Sequence, residues 1–181
     1  MKNKTGIQDP GEQYNVGVMH ANGQGVSKDA GEAVKWFHLA AEQGHADAQF
    51  ILGAIYANGE GVPKDDKVAM KWYRLAAENG QARAQFILGT MHANGEGASE
   101  DSNEAVKWYR LAAEQQHADA QLNLGVMYAN GKGVPEDDKV AANWYRLAAE
   151  QGLAVAQFNL GLGYDKGEGV PKDSKEALRW Y

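Results

Sequence analysis

The sequence predicts an all-α fold built as a stack of antiparallel helix pairs, and two observations lead to this prediction. A tryptophan recurs every 36 residues, at Trp36, Trp72, Trp108, Trp144 and Trp180. Between successive tryptophans, helical patterns of apolar residues flank a turn that carries two glycines. A globular core does not need such regularity, whereas a stack of one repeated unit does. The period therefore predicts an array that presents a surface rather than a single catalytic pocket.

The first helix of each unit is illustrated by residues 46–58. Ala48, Leu52 and Tyr56 fall at i, i+4 and i+8, which places them on one face of an α-helix. Gly53 lies inside this helix, where glycine costs about 1 kcal/mol relative to alanine. Glycine recurs at this position in every unit. We therefore expect the close approach of another backbone there, where the two helices of the unit cross.

A glycine-rich turn joins the two helices of a unit. Residues 58–63 read Asn-Gly-Glu-Gly-Val-Pro, in which the glycines can end a helix and the proline prevents its early resumption. Asp65 is placed to cap the second helix by accepting backbone N–H groups of its first turn. The second helix is expected over 66–79, and its buried face consists of Ala69, Trp72, Tyr73, Ala76 and Ala77.

The repeats predict one domain after a short tail. Residues 1–11 are assigned to an N-terminal tail and residues 12–181 to a single solenoid domain. Its units are expected at about 12–44, 45–80, 81–116, 117–152 and 153–181, the last one incomplete. The final unit stops at Tyr181, midway through its second helix. Because an array needs a polar element at each end, this predicts a truncated array or self-association through the C-terminal unit.

Composition argues against several classes of function. The formal net charge is −6, from 18 basic and 24 acidic residues, and no basic stripe is present, so nucleic-acid binding is not expected. No apolar run approaches the roughly 20 residues of a membrane helix, so membrane insertion is not expected. The chain has no cysteine, which excludes disulfides and Cys-ligated zinc. No signal peptide is recognisable, so the compartment stays open: the cytoplasm, or an exported location if a signal was removed.

The sequence carries no motif for catalysis or metal binding. The five histidines form no His-Glu-x-x-His site, and the serines form no Gly-x-Ser-x-Gly or Ser-x-x-Lys motif. The pair Asp65-Asp66 starts a helix, where capping and a favourable dipole interaction explain it. We therefore expect no catalytic residue, no metal and no cofactor. A hydrolase would need a nucleophile, a base and an oxyanion site, and the sequence offers none.

These residues resemble the Sel-one-like repeat (SLR) family, a relative of the tetratricopeptide repeats. The elements Ala-x-x-x-Leu-Gly-x-x-Tyr, Gly-x-Gly-Val, the capping Asp and Trp-Tyr-x-x-Ala-Ala recur over residues 12–181. The resemblance implies a right-handed α-α superhelix whose concave groove is lined by the first helices. It also implies a non-enzymatic scaffold or adaptor that binds a protein or peptide. Gln116 departs from the pattern, since the family has a helix-ending glycine there.

One sector of the first helices is the candidate partner-binding surface, and we name it the first-helix ridge. It comprises the positions equivalent to 47, 51, 54 and 58, which project away from the buried face and change from unit to unit. The candidate contact residues are Asn15, Asp47, Ile51, Arg83, Ile87, Asp119, Asn123 and Asn159. An asparagine amide both donates and accepts hydrogen bonds, so it can grip the backbone of an extended peptide.

Two alternatives remain open at this point. Asn22, Asn58, Asn94 and Asn130 each precede a glycine, so they are also interpreted as helix-terminating residues without a ligand. The high similarity between units also fits an engineered or truncated repeat array that has no evolved ligand.

Overall fold

Ten α-helices and no strand make up the part of the chain that the computed structural model describes, residues 6–181. The helices are Pro10–Asn22 (α1), Ala30–Glu42 (α2), Ala46–Asn58 (α3), Asp66–Glu78 (α4), Ala82–Asn94 (α5), Ser102–Glu114 (α6), Ala118–Ala129 (α7), Asp138–Glu150 (α8), Ala154–Lys166 (α9) and Ser174–Trp180 (α10). Each odd-numbered helix packs against the helix that follows it. The predicted all-α fold of repeated helix pairs is confirmed. The division into a tail and a single domain stays a prediction, and residues 1–5 of that tail lie outside the described residues.

The described chain forms two compact units. The N-terminal unit extends to Ala84 and includes Glu96–Ala98, whereas the C-terminal unit comprises Gln85–Gly95 and Ser99–Tyr181. Each unit has cores of small and branched side chains. Leu52 in the N-terminal unit and Leu124 and Leu160 in the C-terminal unit are fully buried between alanines.

The tryptophans pack at the edge of these cores rather than at their centre. Trp36 is buried, whereas Trp72, Trp144 and Trp180 are half-buried and pack against the clusters from outside. The predicted placement of the tryptophan on the packed face of the second helix is thus correct. The centre of each core, however, is formed by leucine and alanine side chains.

The glycine inside each first helix lies against an aromatic ring of the second helix. A Cβ atom added to Gly53 would lie 2.6 Å from Cδ1 of Tyr73, and one added to Gly125 would lie 2.6 Å from Cε1 of Tyr145. The carbonyl oxygen of Ala141 follows at 3.3 Å from the added Gly125 Cβ. The predicted crossing point is present, but a ring approaches the glycine more closely than the expected backbone does.

The helix caps form as predicted. Oδ1 of Asp65 accepts hydrogen bonds from the backbone N–H groups of Lys67 and Val68, each at 3.0 Å. The equivalent aspartates cap the other second helices in the same way, at Asp29, Asp101, Asp137 and Asp173. Gly59 ends α3 with a φ of 74°, in the left-handed region that glycine adopts without strain. Gln116 takes this region as well, with a φ of 64°, where the other repeats have glycine.

The second glycine of the turn has a role that the sequence did not reveal. A Cβ atom on Gly61 would lie 3.1 Å from Cβ of Ala30, at the start of the preceding second helix. One on Gly97 would lie 2.5 Å from the carbonyl oxygen of Asp66. In the C-terminal unit, Gly133 and Gly169 abut the preceding second helix in the same way. The turn therefore packs directly on the backbone of the previous hairpin, and a side chain there would clash.

A buried glutamine links neighbouring hairpins within each unit. Nε2 of Gln121 donates to the carbonyl oxygen of Ala113 at 3.1 Å, while its Oε1 accepts from Nε2 of Gln151 at 2.8 Å. Gln49 does the same in the N-terminal unit, with Ala41 at 3.0 Å and Asn79 at 2.9 Å. Both glutamines are 3% exposed. Helical spacing alone does not reveal this network, although glutamine occupies the same place in every repeat.

Candidate functional site

The first-helix ridge lies on the odd-numbered helices, as predicted. The candidates are distributed as Asn15 on α1, Asp47 and Ile51 on α3, Arg83 and Ile87 on α5, Asp119 and Asn123 on α7, and Asn159 on α9. The first residue of each pair is exposed, whereas Ile51, Ile87, Asn123 and Asn159 are half-buried. No ligand tests these residues, so their binding role stays a prediction.

Three ridge asparagines have unused amide groups. The side chains of Asn15, Asn123 and Asn159 form no hydrogen bond with any residue between 6 and 181. By contrast, Nδ2 of Asn58 donates to Oε1 of Glu60 at 2.8 Å, and Nδ2 of Asn130 donates to the carbonyl oxygen of Val126 at 2.8 Å. Asn58 and Asn130 therefore have local structural partners, and the asparagines in the middle of the ridge are available to a ligand.

The charged and apolar candidates of the N-terminal unit make structural contacts. Oδ1 of Asp47 accepts a hydrogen bond from Nε2 of Gln81 at 2.7 Å. The guanidinium of Arg83 lies 4.9 Å from the centre of the Phe50 ring, which is a cation–π contact. Ile51 packs against the apolar core of this unit. Substituting these three residues would therefore affect stability as well as any binding.

A cleft of about 320 Å³ opens in the C-terminal unit between α7, α8 and α9. Asn159 is the only one of the eight candidates that lines it, among the described residues. Three further ridge residues border the cleft, namely Asn130, Leu162 and Lys166. Its other wall comes from the second helix α8, which contributes Asp138, Ala141, Ala142 and Tyr145. The contribution of a second helix to this cleft was not predicted from the sequence.

Tyr145 is one of the residues that line this cleft. Its hydroxyl makes no hydrogen bond within residues 6–181. In the preceding hairpin of the same unit, the hydroxyl of Tyr109 donates to Oγ1 of Thr90 at 3.2 Å. Val126 occupies the position equivalent to Thr90 and offers no oxygen on its side chain. Burial raises the pKa of Tyr145, and the nearby Asp138 carboxylate raises it further, so the hydroxyl is neutral at physiological pH.

Two other kinds of feature, metal sites and membrane-spanning helices, have no candidate among the described residues. Between residues 6 and 181, no group of three or more His, Asp or Glu side chains could hold a metal ion. No helix in the same range has the length and apolar character needed to cross a membrane.

Comparison with known proteins agrees with the repeat pattern. The family model described as Sel1 repeat matches residues 13–45, 46–81, 82–117, 118–153 and 154–181. No curated protein matches the chain. A Sel1 repeat protein from Oxalobacter formigenes is 39% identical, with a TM-score of 0.93 over 99% of this chain and 74% of that chain.

Two further solved structures share the fold. A protective antigen of uropathogenic Escherichia coli strains, which displays an SLR fold, is 41% identical with a TM-score of 0.91; the match covers 96% of this chain and 37% of that chain. Cysteine rich protein B of Helicobacter pylori is 24% identical with a TM-score of 0.55, over 75% of this chain and 97% of that chain, which shows likeness of fold alone. From the five matched repeats, the ten helices and these likenesses, the chain belongs to the Sel1 repeat family.

Proposed function

We propose that this chain is a protein–protein interaction module that binds a protein or peptide along the first-helix ridge. The observation that carries the proposal is the set of unused amides on Asn15, Asn123 and Asn159. Asn123 and Asn159 are half-buried, where an amide without a protein partner is costly unless water or a ligand satisfies it, whereas Asn15 is exposed. Amides that can donate and accept at once suit the backbone of an extended polypeptide.

The family supports the general part of this function. Proteins built from Sel1 repeats are generally scaffolds for protein–protein interaction and typically have no enzymatic activity. The net charge of −6 supports a protein partner over a nucleic acid, because phosphate recognition needs clustered positive charge. The ridge on this particular chain, and the partner it binds, are the finer parts of the proposal.

The test begins with capture of partners by the intact chain, followed by mass spectrometry and measurement of the affinity of the captured protein. The double variant Asn123→Ala/Ile87→Ala removes one amide and one apolar contact from the ridge of the C-terminal unit. We expect it to weaken binding by about tenfold or more, because each contact contributes about 1 kcal/mol. The matched control is Asn103→Ala, an exposed asparagine at the start of α6 and outside the ridge. Unchanged affinity in the double variant would show that the ridge is not the binding surface.

A further inference from the structure

We propose that the cleft between α7, α8 and α9 receives a lysine or arginine side chain of the bound polypeptide. This inference rests on the proposed function and adds the chemistry of one anchor residue in the partner. Three independent features of the cleft favour a cation with an apolar stem.

The first feature is the orientation of the helices that surround the cleft. α7 ends at Ala129 and α9 ends at Lys166, and both of these terminal residues line the cleft. The carbonyl end of a helix carries a partial negative charge equivalent to about −0.5. α8 begins at the cleft with its positive end, but the Asp137 carboxylate accepts the backbone N–H of Val140 at 3.0 Å and offsets it. The helix ends together thus favour positive charge.

The second feature is a carboxylate without a cation. In the N-terminal unit, Nζ of Lys64 lies 3.4 Å from Oδ1 of Asp66. The equivalent residues in the C-terminal unit are Glu136 and Asp138, so the lysine is replaced by a second acid. Asp138 forms no ion pair with any residue of the described range. The only cation on the cleft wall, Lys166, already lies 3.5 Å from Oε2 of Glu168.

The third feature is the distribution of apolar and polar walls. Ala141, Ala142 and Leu160 provide an apolar surface, along which the methylene stem of a long cationic side chain can lie. The hydroxyl of Tyr145 and the amide of Asn159 provide oxygen acceptors that no described residue uses. The cleft volume of about 320 Å³ leaves room for one long side chain.

The experiment titrates the isotope-labelled chain with three small probes and follows backbone amide resonances by NMR. The probes are the N-acetyl methylamides of lysine, norleucine and glutamate, which differ in their charge and terminal group. We expect the lysine probe to shift the amides of Ala142 and Gly163 and to bind about tenfold more tightly than norleucine at low salt. The glutamate probe should not shift them. The preference for the lysine probe should decrease as salt is added, since the Asp138 carboxylate is exposed.

The decisive variant is Glu136→Lys, which copies the Lys64–Asp66 arrangement of the N-terminal unit into the cleft. It should reduce affinity for the lysine probe by about tenfold, and Asp138→Asn should do the same. Asp66→Asn is the matched control and should leave binding unchanged. The inference is overturned if norleucine binds as tightly as lysine, if no probe shifts the cleft amides, or if Glu136→Lys has no effect. These outcomes are separate from failure of the proposed function, which the Asn123→Ala/Ile87→Ala affinity decides.

Discussion

Replacing the buried glutamine of the C-terminal unit should destabilise the protein by a predictable amount. Gln121→Leu removes the hydrogen bond to the Ala113 carbonyl at 3.1 Å and the one from Gln151 at 2.8 Å. Two hydrogen bonds at about 0.5–1.5 kcal/mol each give about 1–3 kcal/mol.

The surroundings place the loss in the lower part of that range. The Ala113 carbonyl keeps the backbone N–H of Gln116 at 3.0 Å, and the exposed Gln151 can turn to water. We therefore expect the free energy of unfolding to fall by about 1–2 kcal/mol. Gln49→Leu should show a similar loss, because its two hydrogen bonds are the same in the N-terminal unit.

The assay is urea unfolding followed by far-ultraviolet circular dichroism and by tryptophan fluorescence. Coincident transitions by the two probes justify conversion to a free energy. The comparison variant Gln151→Leu removes the partly buried hydrogen bond to Oε1 of Gln121 and leaves that buried acceptor without its partner, so it should cost about 1–3 kcal/mol. The double variant Gln121→Leu/Gln151→Leu should cost less than the sum of the two single variants, because they share a hydrogen bond. If Gln121→Leu unfolds at the same or a higher urea concentration than the parent chain, the glutamine network does not stabilise the fold.

Four further predictions concern other positions. Gln116→Gly should stabilise the fold by up to about 1 kcal/mol in urea unfolding, since an L side chain at a φ of 64° is strained; a loss would contradict this reasoning. Gly53→Ala should cost about 1 kcal/mol, because overpacking against the ring 2.6 Å away outweighs the gain in helix propensity; a higher melting temperature would show that the ring moves freely. Burial raises the pKa of Tyr73 above its usual value near 10. The stability that the neutral Tyr73 side chain contributes is therefore fully present below about pH 10 and is lost as pH rises through the pKa of the folded state. In alkali, Tyr73→Phe should unfold less readily than the parent chain, as measured by melting temperature against pH. Phe158 and Tyr181 are each 56% exposed, which predicts weak self-association that Phe158→Gln reduces; light scattering that gives a monomer at every concentration would refute it.

Local patterns in the sequence predicted most of the fold. Apolar spacing predicted the faces of the helices, and a residue such as Asp65 predicted its cap because the carboxylate bonds to its own helix. The role of Gln121 could not be predicted in this way. A polar residue in a helix is ordinarily expected to be exposed, and only packing against the previous hairpin buries it.

The candidate site also combines features that local patterns predict with features that depend on packing. The ridge was proposed because helical spacing puts positions such as Asn159 away from the apolar stripe, and its binding role stays a prediction. The position of Asp138 was interpreted only as a helix start, from its equivalent Asp66, and that of Tyr145 only as part of the core, from its equivalent Tyr73. That both border the same cleft depends on how α8 and α9 pack, which single-helix patterns do not encode. The one signal in the sequence for this cleft was that Glu136 stands at the position where an earlier repeat has Lys64.

The contact between each second turn glycine and the preceding helix restricts how this architecture can acquire new binding properties. Insertions are usually tolerated in surface loops at small cost. Here a longer turn in the C-terminal unit would lift Gly169 from the Asp138 carbonyl, so it would separate the last hairpin from the one before it. We therefore expect that these turns do not tolerate insertions. New binding properties must then come from exchanging side chains on a fixed backbone, such as those of the proposed first-helix ridge, or from adding whole hairpins.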